Sequence, residues 1–486
     1  MNAGKLSATL IRPVWLFAFA LAAAGAEPPQ PPAKASIEQL VADYCADTGA
    51  DVGLHAVRLA DGTPLCQIRP TDRFIPASNQ KILTSAVALK RLGPDFQFRT
   101  KLATAGRDLV VIGDGDPTTG DARLAEDRKE TIYAAFDRWA EALKRAGIRR
   151  IEGDLLIRAG TFQGPYSHPD WPTASRQRWY AAPAAAVNFN DNCFDVGFEV
   201  EGEEVRPVVA PLSRFIRVRS RVRLGGRHLW RCRFDKSGDG MTLTGTVRRA
   251  TPDPLPVAAP DPPMLFGCVL MDRLVRAGIE FQGKIVVSRD PAGPWRADGL
   301  RVIATEATPL SAVLRRANKH SHNLTAECLF LRSAVEPGAP ATWKKAAKAA
   351  AAVLQADYGL PAGQFRVADG SGLSGKNRVS PAAITSLLGA MAGQKAFLES
   401  LAIAGVDGSL EGRLAGPLCR GRILGKTGSL TDVSALSGYV LDRTGKPALA
   451  FSILINGRTR GKRHDAHGLQ AAVCRVLTEA VDAPAP

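Results

Sequence analysis

Residues 422–456 read RILGKTGSLTDVSALSGYVLDRTGKPALAFSILIN, opening at Arg422 and closing at Asn456. The segment reads as three strands in succession: Arg422–Leu430, Val433–Leu441 and Ala448–Asn456. Inside the first lies Gly425-Lys426-Thr427-Gly428-Ser429. The two-residue side-chain period of a strand puts Thr427 and Ser429 on one face. Gly428 between them leaves room for a substrate backbone to lie alongside as an added strand. A cation beside two hydroxyls suits a substrate carboxylate. Lys426 starts on the opposite pleat, and strand geometry alone does not say how it reaches a cleft. The bland alternative is a surface Lys-Thr-Gly turn, which the three strand signals oppose.

Outward from this segment, His467–Val481 reads as a closing helix and Pro381–Ala392, Thr342–Tyr358, Leu324–Val335 and Pro309–Asn318 as earlier ones. At the other end of the chain, Ser36–Thr48 reads as a helix, with strands Val52–Ala60 and Thr63–Ile68 turning at Asp61-Gly62. A further helix runs from Ser78 to Leu92, where Gly93-Pro94 stops it. From Phe96 to about Arg296 the texture changes to short strands and turns, with a helical exception at Ile132–Ala146. Thr251–Pro263 carries six prolines in thirteen residues and reads as a loop. The pattern predicts one domain built from both ends of the chain, residues 27–95 and 297–486, with a β-rich insert of roughly 200 residues at 96–296.

Composition bounds the rest. The chain has 486 residues, 45% hydrophobic and 23% charged, with 46 Gly and 33 Pro. That is enough apolar material for more than one packed core, and it excludes a disordered, collagen-like or polytopic membrane chain. Lys plus Arg is 63 against 47 acids, a formal charge of +16, which favours anionic partners without speaking to fold. Residues 1–26 have the layout of a cleaved secretory signal: Lys5 and Arg12 are basic, Val14–Ala23 is an uncharged apolar run, and Ala24-Gly25-Ala26 supplies small residues. The run falls short of a membrane span. The expectation is an exported, periplasmic chain with at most peripheral membrane contact. Its eight cysteines then suit disulfides, with Cys45–Cys66 the expected pair and buried thiols the alternative.

Three local patterns could carry chemistry. Ser78 and Lys81 lie one turn apart at a helix start, so a lysine of lowered pKa could take the serine proton beside backbone N–H groups suited to an oxyanion. Ser321-His322-Asn323 precedes a helix and offers a hydroxyl and an amide, although Ser and Asn are also ordinary N-cap residues. The third is the Lys426–Ser429 stretch. Each alone is weak. Arg214–Arg233 stands apart, with eight arginines and no acid. Alternation puts Arg217, Arg219, Arg221 and Arg223 on one strand face, with Gly225-Gly226 as the expected hairpin turn. It reads either as a solvated outer face or as a docking face for anionic glycan strands, stem-peptide carboxylates or lipid headgroups.

In order, Ser-x-x-Lys, Ser-x-Asn and Lys-Thr-Gly form the three-part signature of penicillin-binding proteins and serine β-lactamases. Gly113–Thr118, Asp369–Ser374, Gly405–Leu410 and Ser437–Val440, with about 240 residues between Lys81 and Ser321, narrow the match. The chain resembles the D-alanyl-D-alanine carboxypeptidase/endopeptidase group, low-molecular-mass class C penicillin-binding proteins, over roughly Ile37–Glu479. The resemblance implies an α/β (α+β) transpeptidase-like domain, a five-stranded antiparallel sheet with helices on both faces, and a large β-rich insert. It implies Ser78 as acylated nucleophile, Lys81 as its base and Ser321 as proton shuttle. Asn323 would hold the substrate amide, Lys426 would supply positive charge, and Thr427 and Ser429 would bind the terminal carboxylate beside Gly428. The backbone N–H groups of Ser78 and Ser429 would form the oxyanion hole. Peptidoglycan stem peptides are the implied substrates and β-lactams the implied inhibitors, with no cofactor, no metal and no nucleic acid.

Two departures from the group stand out. His322 occupies a position commonly held by Asp, from which weakened bracing or a pH-sensitive loop is expected. Arg158 stands where an acid is expected in the insert, which bears on side-chain preference. Four rival readings remain: a nucleic-acid binder, which lacks a motif; a zinc peptidase, which lacks His-Glu-x-x-His; a β-lactamase or esterase on the same fold; and a wall-binding protein with a silent site.

Overall fold

The structure is a computed structural model describing residues 36–290 and 299–483. The expected signal segment, and the expected domain boundary at 296, lie outside the described residues. The central sheet has six strands, one more than expected, in the order Ala402–Ile403, Ile423–Leu430, Val433–Leu441, Pro447–Asn456, Asp51–Arg58, Pro64–Ile68. Every neighbouring pair is antiparallel. The extra strand is the two-residue Ala402–Ile403 edge, too short to leave a periodic signal.

The sheet is covered on both faces, and the period-two pattern says why. Ala435, Tyr439, Ala450 and Leu454 join the core built with helices Gln80–Leu92, Leu310–Lys319, Asn323–Arg332, Trp343–Ala356 and Pro381–Met391. Leu436, Val440, Phe451, Ile453 and Ile455 alternate with them and pack beneath Ile37–Thr48 and Ala466–Asp482. Strand Val433–Leu441 is buried at all nine positions, as a central strand with both faces covered must be.

The insert has a core of its own. A mixed five-stranded sheet, ordered Ile285–Ser288, Leu155–Arg158, Asp108–Gly113, Gln97–Ala105, Arg301–Pro309, carries helices Ala134–Arg145 and Pro262–Arg276, its last strand coming from the 297–486 segment expected to belong to the other domain. Two three-stranded sheets extend it: Leu255–Ala258 with Cys193–Glu201 and Glu204–Ala210, and Leu229–Phe234 with Gly240–Val247 and Arg217–Leu224.

Three local expectations fail for physical reasons. The Pro-rich stretch is not all loop. Leu255–Ala258 is an edge strand, where a proline's missing N–H is tolerated, and Pro262 opens a helix capped by Asp261. Gly225-Gly226 is not a hairpin, because Arg217–Leu224 pairs in parallel with Gly240–Val247 and Leu229–Phe234 sits on the far side of that strand. All eight cysteines are thiols, so the Cys45–Cys66 bridge is absent. Cys66 is buried and donates to Glu38 at 3.5 Å. Six of the other seven are buried, packing as small apolar groups.

Candidate active site

Ser78 sits in a 3-10 turn, Ala77–Asn79, just ahead of the α-helix that begins at Gln80. The turn is tightly gripped. Ala77 takes a left-handed backbone (φ 47°), and Gly372 packs so closely that a Cβ there would overlap the Ala77 carbonyl. From the opposite side, strand Ile423–Leu430 approaches at Gly428, where a Cβ would stand 2.8 Å from the Pro76 carbonyl and 3.1 Å from the Ser78 nitrogen. Gly428 therefore makes room for the serine's own backbone.

Lys81 is fully buried, and its Nζ meets three oxygens: Ser78 Oγ at 2.9 Å, Asn323 Oδ1 at 2.7 Å and the Ser371 carbonyl at 2.9 Å. Burial brings its pKa down to about 7, against the pull of Glu327 and Asp369. Asn323 and Glu327 lie one turn apart on helix Asn323–Arg332, so the same face supplies an amide contact and a nearby carboxyl. The Glu327 oxygens accept from the Gly370 and Ser371 backbone N–H groups at 2.8 Å each. Burial and Asp369 raise its pKa. Asp369 in turn accepts from Gly372, Ser374, Asn377 and the Trp171 indole. The i,i+4 spacing from Asn323 was a signal that could have found Glu327. Asp369 and Ser371 lie in a stretch that the sequence marks only by its resemblance, with no spacing that ties them to Lys81.

Lys426 is also fully buried. Its four-carbon stem carries Nζ to Ser321 Oγ at 2.9 Å and back to the Thr427 carbonyl at 2.8 Å, which answers how a residue on the wrong pleat reaches the cleft. Burial and the nearby Lys81 hold its pKa well below the usual lysine range. The Asn79 amide tethers the strand to the serine turn, giving its nitrogen to the Lys426 carbonyl (2.7 Å) and accepting from Ser437 Oγ (2.7 Å). Thr427 Oγ1 donates to Ser409 Oγ at 2.9 Å, and Ser429 is exposed at the cleft wall. Ser78, Ser321, Asn323, Thr427, Gly428 and Ser429 all line one cleft of about 3900 Å³.

The insert reaches into the site. Asn323 Nδ2 donates to the Tyr180 carbonyl at 2.7 Å. Ser321 holds a left-handed backbone (φ 55°) on a turn braced by Arg316, whose Nε meets Asp121 at 2.6 Å and whose Nη2 meets Asp191 at 3.3 Å. His322 Nε2 lies 3.8 Å from Asp191, and its Nδ1 is 2.7 Å from Thr325 Oγ1. The ligand atoms of Asp121, Asp191 and His322 fall within 4.8 Å of one another. The Arg316 guanidinium is the cation that meets these carboxylates. Burial and Arg316 hold the His322 pKa well below the usual histidine range, so the ring is neutral at ordinary pH. The expected pH-sensitive loop is therefore not what this geometry supports. Asp191, from the insert, is a carboxylate that faces His322. Arg158, at the end of an insert strand, is not among the residues lining the cleft.

The model of the D-Ala-D-Ala carboxypeptidase 3 (S13) family matches residues 33–479. The D-alanyl-D-alanine carboxypeptidase DacB of Haemophilus influenzae is 27% identical over 430 residues, covering 85% of this chain and 87% of the relative. A D-alanyl-D-alanine carboxypeptidase of an Actinomadura species is 29% identical over 450 residues, covering 85% and 78%. The crystal structure of penicillin binding protein 4 from Haemophilus influenzae matches with a TM-score of 0.76 at 25% identity, covering 92% of this chain and 99% of that one. The same protein complexed with a β-lactam matches with a TM-score of 0.72. With the family model spanning nearly the whole chain around this cleft, the chain belongs to the D-Ala-D-Ala carboxypeptidase 3 (S13) family and is a serine-type D-Ala-D-Ala carboxypeptidase.

Proposed function

We propose that the chain cleaves the terminal D-alanine from peptidoglycan stem peptides through an acyl-enzyme on Ser78, and that β-lactams acylate the same serine. The observation that carries this is the set of partners around Lys81. A neutral amine has two N–H donors and one lone pair. The Asn323 and Ser371 oxygens are acceptors that take the two N–H groups, which turns the lone pair toward the Ser78 hydroxyl. With a pKa of about 7, the amine form is accessible at neutral pH.

In the proposed sequence Lys81 removes the Ser78 proton as Oγ attacks the peptide carbonyl. The Ser78 and Ser429 N–H groups hold the oxyanion. Ser321, oriented by Lys426, passes a proton to the departing amine of D-alanine. Lys426, Thr427 and Ser429 receive the terminal carboxylate, and its negative charge favours the ammonium form of Lys426. Water then hydrolyses the acyl-enzyme. Endopeptidase cleavage is the same chemistry with a cross-linking residue as the leaving group, and the large volume of the cleft favours it as a second activity. The basic start, apolar run and Ala24-Gly25-Ala26 support export to the periplasm.

Release of D-alanine from a short D-Ala-D-Ala-terminated peptide tests the activity. Wild type releases it and Ser78→Ala does not. Release by Ser78→Ala at the wild-type rate would overturn the assignment. Mass analysis of the secreted chain tests export, which predicts a start at Glu27.

A further inference from the structure

Four arginines of the insert's run, Arg219, Arg221, Arg231 and Arg233, line the catalytic cleft. In the three-stranded sheet, Arg219 and Arg233 flank Thr242, Arg221 and Arg231 flank Thr244, and Arg223 and Leu229 flank Thr246. Residues directly opposite in a ladder share a face. One face therefore carries two arginine rails on either side of a threonine floor, while Val222, Cys232, Met241 and Leu243 are buried on or beside the other face. All five arginines are exposed. Arg217, at the end of the same run, is paired with Asp239 at 2.8 Å and Asp235 at 3.5 Å. Among the described residues, no carboxylate stands within 4.0 Å of the other five guanidinium groups. Arg219, Arg221, Arg231, Arg233, Thr242 and Thr244 line the same cleft as Ser78 and Ser429.

A solvated outer face does not have this arrangement. The rails stand two strand spacings apart, roughly 9–10 Å, and charges along each repeat at roughly 6.5–7 Å, the repeat of alternate residues in an extended peptide. Guanidinium pairs carboxylate bidentately, and threonine hydroxyls can bond the amides between charges. A cleft of about 3900 Å³ is several times the volume that a small-molecule site needs, and it leaves the face open while a peptide terminus occupies the serine.

We propose that this Arg-Thr face binds the free carboxylates of a second, non-reacting stem peptide of the polymer whose other stem peptide is at Ser78. It rests on the peptidoglycan reading above and adds a second binding surface to it. The occupant is an extended acidic peptide, chosen over a lipid surface because the face looks into the cleft that holds the reacting serine.

The test uses the mature chain, wild type and Arg219→Gln/Arg221→Gln/Arg231→Gln/Arg233→Gln, with the matching Arg→Lys variant as a charge-preserving control. Binding to insoluble peptidoglycan is measured by co-sedimentation from low to high salt, beside D-alanine release from a short soluble peptide. The expected result is about tenfold or greater loss of polymer binding in the Gln variant, largely restored by Lys, with short-peptide turnover within twofold of wild type. Wild-type binding should weaken with salt and on amidation of the polymer's carboxyl groups. Unchanged binding in the Gln variant overturns the proposal, as does equal binding to amidated polymer. Tighter arginine-dependent binding to phosphatidylglycerol vesicles than to peptidoglycan overturns it in favour of a membrane surface. Loss of short-peptide turnover together with polymer binding, at an unchanged melting temperature, overturns it in favour of a role in the catalytic site. Absence of short-peptide turnover in wild type instead refutes the catalytic reading, whatever the polymer binding.

Discussion

Ser321 Oγ accepts a hydrogen bond from Lys426 Nζ at 2.9 Å, while Asn323, two residues on, gives its amide oxygen to Lys81 Nζ at 2.7 Å. One short segment thus links the two buried lysines, and the left-handed backbone at Ser321 turns its hydroxyl toward the second of them. The Ser78 and Thr427 ends of the cleft are held together through this segment.

Removal of Lys81 should be severe. Lys81→Met keeps the apolar stem and deletes the base, and general-base deletion typically slows a step by about 10² to 10⁴-fold. The acylation rate with a fluorescent penicillin should fall in that range with the melting temperature nearly unchanged. Acylation within threefold of wild type would remove Lys81 from the role of base.

The pH profile follows from the same residue. The acting form is the neutral amine, and the pKa is lowered to about 7, so acylation should rise with pH through about 7 and level off above it. Below that range the ammonium holds the proton and the rate falls about tenfold per unit. A rate that is flat from pH 5 to 8 contradicts the account. Glu327→Gln removes a carboxyl that favours the ammonium and should move the midpoint to lower pH.

Gly428→Ala tests the close approach of strand and serine turn. Its Cβ would meet backbone at 2.8 Å and 3.1 Å, atoms that cannot swing aside as a flexible side chain can. The expected result is at least a tenfold loss of acylation rate with a stability loss of about 1–3 kcal/mol from overpacking. Full activity would mean that the gap between strand and turn is not needed.

His322 is neutral and buried against Asp191 and Thr325, so His322→Asn should leave the shape of the pH profile unchanged from pH 5 to 8. His322→Asp would bring a third carboxylate to Asp121 and Asp191 with one guanidinium between them. It should destabilise the fold by about 2 kcal/mol or more, as an uncompensated buried charge does. Thermal melting of both variants distinguishes these outcomes.

The sheet was legible where strand period and burial agree. Val433–Leu441 keeps its expected limits, and Ile423–Leu430 and Pro447–Asn456 differ from expectation by one residue at an end. Strand partners were not legible in the insert, because nothing local in Arg217–Leu224 says that its neighbour is a parallel strand beginning at Gly240. The Ser78–Lys81 pair follows from helix spacing. The path of Lys426 to Ser321, the Asp191 contact to His322 and the Tyr180 carbonyl under Asn323 are contacts across elements far apart in the chain, for which sequence spacing carries no signal. The cysteines misled because an even count in an exported chain suggests bridges, whereas all eight are free thiols, even the four that lie in or against one core.

The central claim is that Ser78 carries the acyl group. Incubating the purified mature chain with a fluorescent penicillin, followed by peptide mapping of the adduct, tests it directly. The account predicts one stable adduct on the peptide containing Ser78 in wild type and none in Ser78→Ala. An adduct on another residue, or equal labelling of Ser78→Ala, would contradict it.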